Sequence, residues 1–400
     1  MGIGKTHRYS LFGLLYLSQG AIMSFFTALS GIYLLEHNVP MAKVGIISAI
    51  GMLPFVLKVF LGMLSDKVNL LSKGHRVPYI IIGVVGQAVG LVVILFINPG
   101  TQFGLYALLV FLTLSFMALY DTCTDGLALD TTPEEEEGTV QSIMVGGRAL
   151  GVVLISAVIG FIAQRSWAAV FLVLAAITVV PLPLLRGVRE PERTPETTFR
   201  WSAFRAFGSK VVLAVGMYGL FNSLVTYGAN QLVNPFLTTT FGVSTTMAGL
   251  YTATWGMGVI IGSQVGGRMA DRWGRRRSAL AAVFIGSLGV VALALTQSAA
   301  QAWLMVLLFG VGFGAYSTVF FALSMSVCEA AISASMYAIL MAMANLGSGI
   351  GLALTGVLVD TPSLGYRGTF LVLALANVLV LATLPAMFGR GGQQVVEPAE

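Results

Sequence analysis

Long apolar stretches separated by short polar or charged segments run the length of the chain. Twelve can be marked, at about 9–35, 43–64, 78–97, 103–129, 139–163 and 167–185, then 209–238, 246–268, 278–297, 302–327, 333–358 and 367–388. At ~1.5 Å of rise per helical residue, each is long enough to cross a ~30 Å hydrocarbon core, some with tilt. A barrel strand needs only ~9–11 residues, so the pattern predicts helices. Composition agrees: 56% of residues are hydrophobic and 10% charged, against about 25% charged in a soluble domain. The expected class is an all-α integral membrane protein of twelve transmembrane helices in a lipid bilayer.

Charge then orients the spans. Seventeen of the 22 Lys and Arg fall in the termini and even-numbered loops, three in the opposite loops and two inside spans. That bias places both termini on the cytoplasmic side, in a cytoplasmic (inner) membrane. The net charge of +5 belongs to these loops and marks no nucleic-acid surface. The charged, Pro-bearing segment 186–208 reads as a cytoplasmic linker between two six-span halves, 1–185 and 209–400, the second with a short cytoplasmic tail. Each half carries a charged loop after its second span: Gly62-Met63-Leu64-Ser65-Asp66-Lys67, and Gly267-Arg268-Met269-Ala270-Asp271-Arg272-Trp273-Gly274-Arg275-Arg276-Arg277. Matching loops at matching places mark an internal repeat.

The second of these loops resembles the signature loop of the major facilitator superfamily, as do the twelve spans, two halves and central linker. In the first copy the basic cluster comes late, as Ser72-Lys73-Gly74-His75-Arg76. A narrower similarity is to the anhydromuropeptide permease and acetyl-CoA transporter branch. It is carried by Leu17-Ser18-Gln19-Gly20, by Pro54-Phe55-Val56-Leu57-Lys58, by Asp121, Asp125, Asp130 and Pro133-Glu134-Glu135, by Gly147-Arg148-Ala149-Leu150-Gly151, and by Tyr337-Ala338-Ile339-Leu340 with Asn345. The folate–biopterin branch shares some features, notably a Ser-Asp loop ending in a basic residue, Pro and Tyr. The resemblance implies two pseudo-symmetric six-helix bundles (the major facilitator fold) and a cavity lined by spans 1, 4, 7 and 10. It implies gating contacts at Asp66, Arg76 and Asp130 in the first half, and at Gly267, Asp271, Arg272 and Arg275 in the second.

Four ionisable residues lie at membrane depth in the first half. Spacing along the helices puts Lys58 ~12 Å, Asp121 ~13 Å, Asp125 ~7 Å and Arg148 ~15 Å from the inner surface. Asp121 and Asp125, four apart, share one helix face. A carboxylate in hydrocarbon is costly and is kept only if paired, hydrated or used. Two readings follow: a structural ion-pair cluster joining spans 2, 4 and 5, or a proton-coupling site at Asp121 or Asp125 with Lys58 and Arg148 as charge partners. Asp121, the deeper, is the first candidate for the proton. Glu134 to Glu137 read as a solvated acidic loop.

The spans of the second half carry polar rather than charged residues. Tyr227, Asn230, Gln231 and Asn234 form a helical stripe; Tyr227, Asn230 and Gln231, with Gln19, Tyr316 and Asn345, are the candidate substrate-binding residues. Hydrogen bonding between helices is the alternative. Gly258, Gly262 and Gly266 repeat every four residues, a spacing that lets helices approach closely. His7, His37 and His75 lie in terminal or loop positions, so no metal, cofactor or catalytic set is expected and the chain is not read as an enzyme. The expected function is secondary transport of a small polar or amphipathic solute by a monomer, with protons driving uptake and a muropeptide-, folate- or acyl-CoA-like substrate. Proton-driven efflux of lipophilic compounds and a non-transporting assembly or sensory role on the same fold are the rivals.

Overall fold

The computed structural model describes residues 4–70, 74–133, 136–188, 190, 208–328 and 333–388, apart from the side chains of 27, 28, 59, 66, 67, 129, 137–139, 141, 142, 271 and 333–335. The described residues form no strand. The helices are α1 (Lys5–Ser24), α2 (Ser30–Glu36), α3 (Met41–Val56), α4 (Lys58–Lys67), α5 (Val77–Ile94), α6 (Phe103–Thr131), α7 (Glu137–Ala163), α8 (Trp167–Val179), α9 (Lys210–Phe241), α10 (Thr245–Trp273), α11 (Arg275–Ala294), α12 (Ala299–Ser326), α13 (Ser333–Asp360), α14 (Gly365–Ala376) and α15 (Leu384–Phe388). Among the described residues, nine helical stretches are long and apolar enough to cross a membrane. The outward faces are apolar: Phe96 is 78% exposed, Leu375 70% and Phe284 69%. Large apolar side chains on that scale fit a hydrocarbon surround rather than water.

The stretches expected as spans 1 and 2 are each interrupted. In span 1 a π-helical turn, Phe25–Leu29, separates α1 from α2. In span 2 the helix stops at Leu57 (φ −86°, ψ −1°), one turn after Pro54, and restarts at Lys58. Pro54 removes one donor of the α3 ladder and crowds the turn before it, which weakens α3 shortly ahead of the break.

Two compact units are present. The first comprises Met1–Val39, Leu57–Phe199 and Ser244–Ala253; the second comprises Pro40–Val56, Arg200–Val243 and Thr254–Glu400. In the second, α10 and α12 run with their backbones nearly touching. A Cβ on Gly258 would lie 2.5 Å from the Leu307 carbonyl oxygen, one on Gly266 2.6 Å from that of Ala315, and one on Gly262 would fall on the Val311 carbonyl. Gly262→Leu is therefore expected to push the two helices apart. Overpacking of this kind costs about 1–3 kcal/mol or more. Melting of the detergent-purified variant checks it, and an unchanged melting temperature would show that the contact is dispensable.

Candidate functional site

Small residues seat α7 against α1 in the first unit. A Cβ on Gly147 would lie 2.5 Å from the Gly13 carbonyl oxygen, and one on Gly151 would fall on that of Leu17. This close approach carries Arg148 to the face of α1 that holds Gln19 and Tyr16. One terminal nitrogen of Arg148 donates to Asp121 Oδ1 on α6 at 2.8 Å and also to Gln19 Oε1. The Arg148 guanidinium lies over the Tyr16 ring, 4.7 Å from its centroid. Lys58, the first residue of α4, places Nζ 3.6 Å from Asp121 Oδ2. The Tyr16 hydroxyl donates to Asp125 Oδ1. The structure thus joins all four ionisable residues with Gln19 and adds Tyr16, which the sequence reading did not single out. The available signal was spacing: Tyr16 lies three residues before Gln19, on the same helix face.

Exposure separates the members of this cluster. The Asp121 side chain is 5% accessible, whereas those of Lys58 and Arg148 are 26% and 41% accessible. Arg148 sits near the middle of the 27-residue α7. For a charged side chain that is 41% accessible at that depth, water is a far cheaper surround than hydrocarbon. Arg148 Nε and Gln19 Nε2 are buried and have no acceptor among the described residues.

The two carboxylates differ in kind. Asp121 holds a cation on each oxygen, and a proton arriving there must displace ion pairs. Asp125 is held by a neutral phenol that can turn from donor to acceptor, and a proton arriving there costs one reversible hydrogen bond.

In the second unit the Tyr227 and Phe313 rings meet edge to face at 5.2 Å, and Phe313 meets Trp255 in the same way at 5.2 Å. Trp255 Nε1 is buried with no acceptor among the described residues. Gln231 spends Nε2 on the Leu352 carbonyl at 3.0 Å, while its Oε1 has no donor there. Asn230 is nearly buried. Tyr316 is fully buried, and its hydroxyl donates to Asn377 Oδ1 at 3.2 Å. Asn345 Nδ2 donates to the Phe55 carbonyl at 3.0 Å. Tyr316 and Asn345 therefore have hydrogen bonds committed to the protein, whereas Trp255, absent from the sequence-derived binding set, carries an open donor.

At the basic-loop end of the first unit Arg76 donates to Ser65 Oγ at 2.6 Å and lies 3.5 Å from Asp130. The Glu190 carboxylate, from the segment after α8, accepts from the backbone N–H of His75 (2.6 Å), Arg76 (2.9 Å) and Val77 (2.6 Å). It thereby satisfies donors that a helix start leaves open. Gly74, at φ +133°, leaves room for that carboxylate. Glu190→Ala is expected to cost about 1–2 kcal/mol, as loss of a helix cap does. A lowered melting temperature of the purified protein checks this, and unchanged melting would remove the role. Glu136 differs from the expectation of a solvated loop. Arg8 donates to its carboxylate and Lys5 lies at 3.7 Å, and the Arg8 hydrogen bond holds Glu136 below the usual carboxylate range. In the second unit Gly267 has open space about it, Arg272 is exposed and Arg275 half-buried. The side chains of Asp66 and Asp271 lie outside the described residues.

The family model described as Major Facilitator Superfamily matches residues 11–331 and 218–397. A curated protein of Synechocystis sp. (strain ATCC 27184 / PCC 6803 / Kazusa), named a folate-biopterin transporter, is 29% identical over 185 residues. That match covers 45% of this chain and 36% of the relative, so the chain spans little more than a third of that protein's length. Solved structures share the fold. A bacterial homolog of the human lysosomal transporter Spinster, in an inward-facing and unoccupied conformation, superposes with a TM-score of 0.82 at 17% identity, covering 99% of this chain and 100% of that one. The nucleoside transporter NupG gives 0.78 at 14% identity, covering 96% and 99%. A D-xylose-proton symporter gives 0.73 at 19% identity, covering 95% and 96%.

Proposed function

The chain belongs to the Major Facilitator Superfamily, and we propose that it is a proton-coupled importer of a small polar or amphipathic solute, working by alternating access. One observation carries the reading. A cluster of two carboxylates and two cations sits at membrane depth with Arg148 half-exposed and hydrogen-bonding groups left over. In this proposal Asp125 takes the proton, Tyr16 turns to accommodate it, and Asp121 with Lys58 and Arg148 forms the fixed charge frame. Arg148 Nε and Gln19 Nε2 offer donors to an anionic or carbonyl-bearing solute. Trp255 and Phe313, with Tyr227 and Gln231, offer an aromatic wall with one open donor and one open acceptor. A folate-like solute carries carboxylates that suit the donors of the first unit, and the name of the Synechocystis relative supports that class. The basic loops and both termini face the cytoplasm, the halves 1–185 and 209–400 are the moving bodies, and the working unit is the monomer.

The test is proton movement in proteoliposomes that hold a pH dye, with an anhydromuropeptide, a folate, an acyl-CoA and a lipophilic cation added in turn. Internal acidification by one of the first three is expected. Alkalinisation by the lipophilic cation would replace import with efflux, and silence with every solute would sink the coupled reading.

A further inference from the structure

The interruption in span 2 has a polar partner on each side. The last carbonyls of a helix lack ladder donors, and α3 ends at Val56. One of these carbonyls, that of Phe55, accepts from Asn345 Nδ2 on α13 at 3.0 Å. The chain then closes a tighter turn, with Phe60 N–H donating to the Leu57 carbonyl at 2.9 Å. The first residue of the restarted helix is Lys58, whose ammonium faces Asp121. The boundary between the two compact units falls at the same place, between Val56 and Leu57. At its other end α3 is tied to α13 again, by Ala42 N–H donating to Asp360 Oδ2 at 2.6 Å.

We propose that Asn345 is a positioning residue for the Lys58–Asp121 pair, acting through the interrupted turn at Leu57. Its amide occupies a carbonyl that a continuous helix would use for its own ladder. While that bond stands, the turn stays open and Lys58 leaves α4 on the side of Asp121. If the bond is lost, the ladder can close across Leu57, and the Lys58 side chain rotates about the helix axis away from the carboxylate. One turn with two arrangements is the kind of two-state element through which coupling passes. It links the packing of α3 along α13 to the charge state of the cluster. The role of this link in transport rests on the proton-coupled reading above; the turn itself does not.

Asn345→Leu tests it, keeping the side-chain volume and removing the donor. The full-length protein in nanodiscs is compared with Lys58→Gln and the double variant. Two ligand-free readouts are used: hydrogen exchange of the amides at 57–61, and the infrared carboxylate band of Asp121, identified by its loss in Asp121→Asn. Asn345→Leu is expected to change exchange at 57–61 by about three- to tenfold, the effect of one hydrogen bond. It is expected to move the Asp121 band as Lys58→Gln does, with no further shift in the double variant. Asn345→Gln, which keeps the amide, restores the band. An unmoved Asp121 band in Asn345→Leu, or additive shifts in the double variant, overturns the proposal. If Asn345→Leu does not fold, Asn345→Ala, which also removes the donor to the Phe55 carbonyl, replaces it with the same expected and contrary results. Should no solute move protons in wild type while the band shifts stay non-additive, the coupled reading falls and the positioning role stands. Additive shifts in a protein that does move protons remove the positioning role alone.

Discussion

Asp125→Asn is expected to abolish solute accumulation driven by a proton gradient while leaving solute exchange between two equal pools intact. The amide fills the same space and still accepts the Tyr16 hydroxyl, so the packing of α1 against α6 survives. What goes is the ability to take up and release a proton as the Tyr16 contact opens and closes. One coupled proton at a membrane potential of ~100 mV contributes ~2.3 kcal/mol. Its loss should lower the steady accumulation ratio by about fiftyfold. Accumulation is measured in proteoliposomes with an imposed gradient, and exchange in the same vesicles without one. Full accumulation by the variant would move the proton to Asp121 or end the coupled reading. Tyr16→Phe supplies a graded comparison: it keeps the carboxylate and removes the donor, so coupling should weaken rather than vanish.

Much of this site was legible in the chain because hydrocarbon is intolerant of charge. Lys58, Asp121, Asp125 and Arg148 each stand out in apolar runs, and helical rise alone brings them to similar depth. That shared depth allows contact among them, and the structure pairs Asp121 with both Lys58 and Arg148. Tyr16 was marked only by sharing a face with Gln19, since a tyrosine in an apolar helix is ordinary and only the position of Asp125 gives its hydroxyl a use. The division of labour between the carboxylates was not legible. Spacing shows that two acids share a face but not that both cations reach one of them. Span 2 reads as continuous in the chain, and nothing local says that it breaks at Leu57 or that a side chain some 290 positions away meets the break. Glu136 looked solvated because its run is acidic, and Arg8, at the far end of the first half, supplies the partner. The fold was written in periodic apolarity. The site's finer chemistry depends on tertiary contacts, which periodicity does not encode.

Arg148→Leu is expected to cost more stability than any other single change in the charged cluster, and Asp121→Asn to recover most of it. Truncating one member of a buried ion pair strands the other, a loss of about 3–5 kcal/mol. Here Lys58 remains 3.6 Å from Asp121 and the Arg148 side chain is 41% accessible. Both facts lower the figure, to about 2–3 kcal/mol. For a chain of this length that is about a 3 °C fall in melting temperature. In the double variant Asp121 no longer carries a charge to strand, so the remaining loss is the contact with Gln19 and the stacking on Tyr16. The single change should therefore be worse than the double, a reversal that additive packing losses cannot produce. Lys58→Met, which removes the longer and more weakly held pair, should cost less than Arg148→Leu. Thermal melting of the four purified proteins decides the matter. If the double variant is the least stable, Arg148 acts through packing against α1 rather than by neutralising Asp121, and the fixed charge frame assigned to the site dissolves with it.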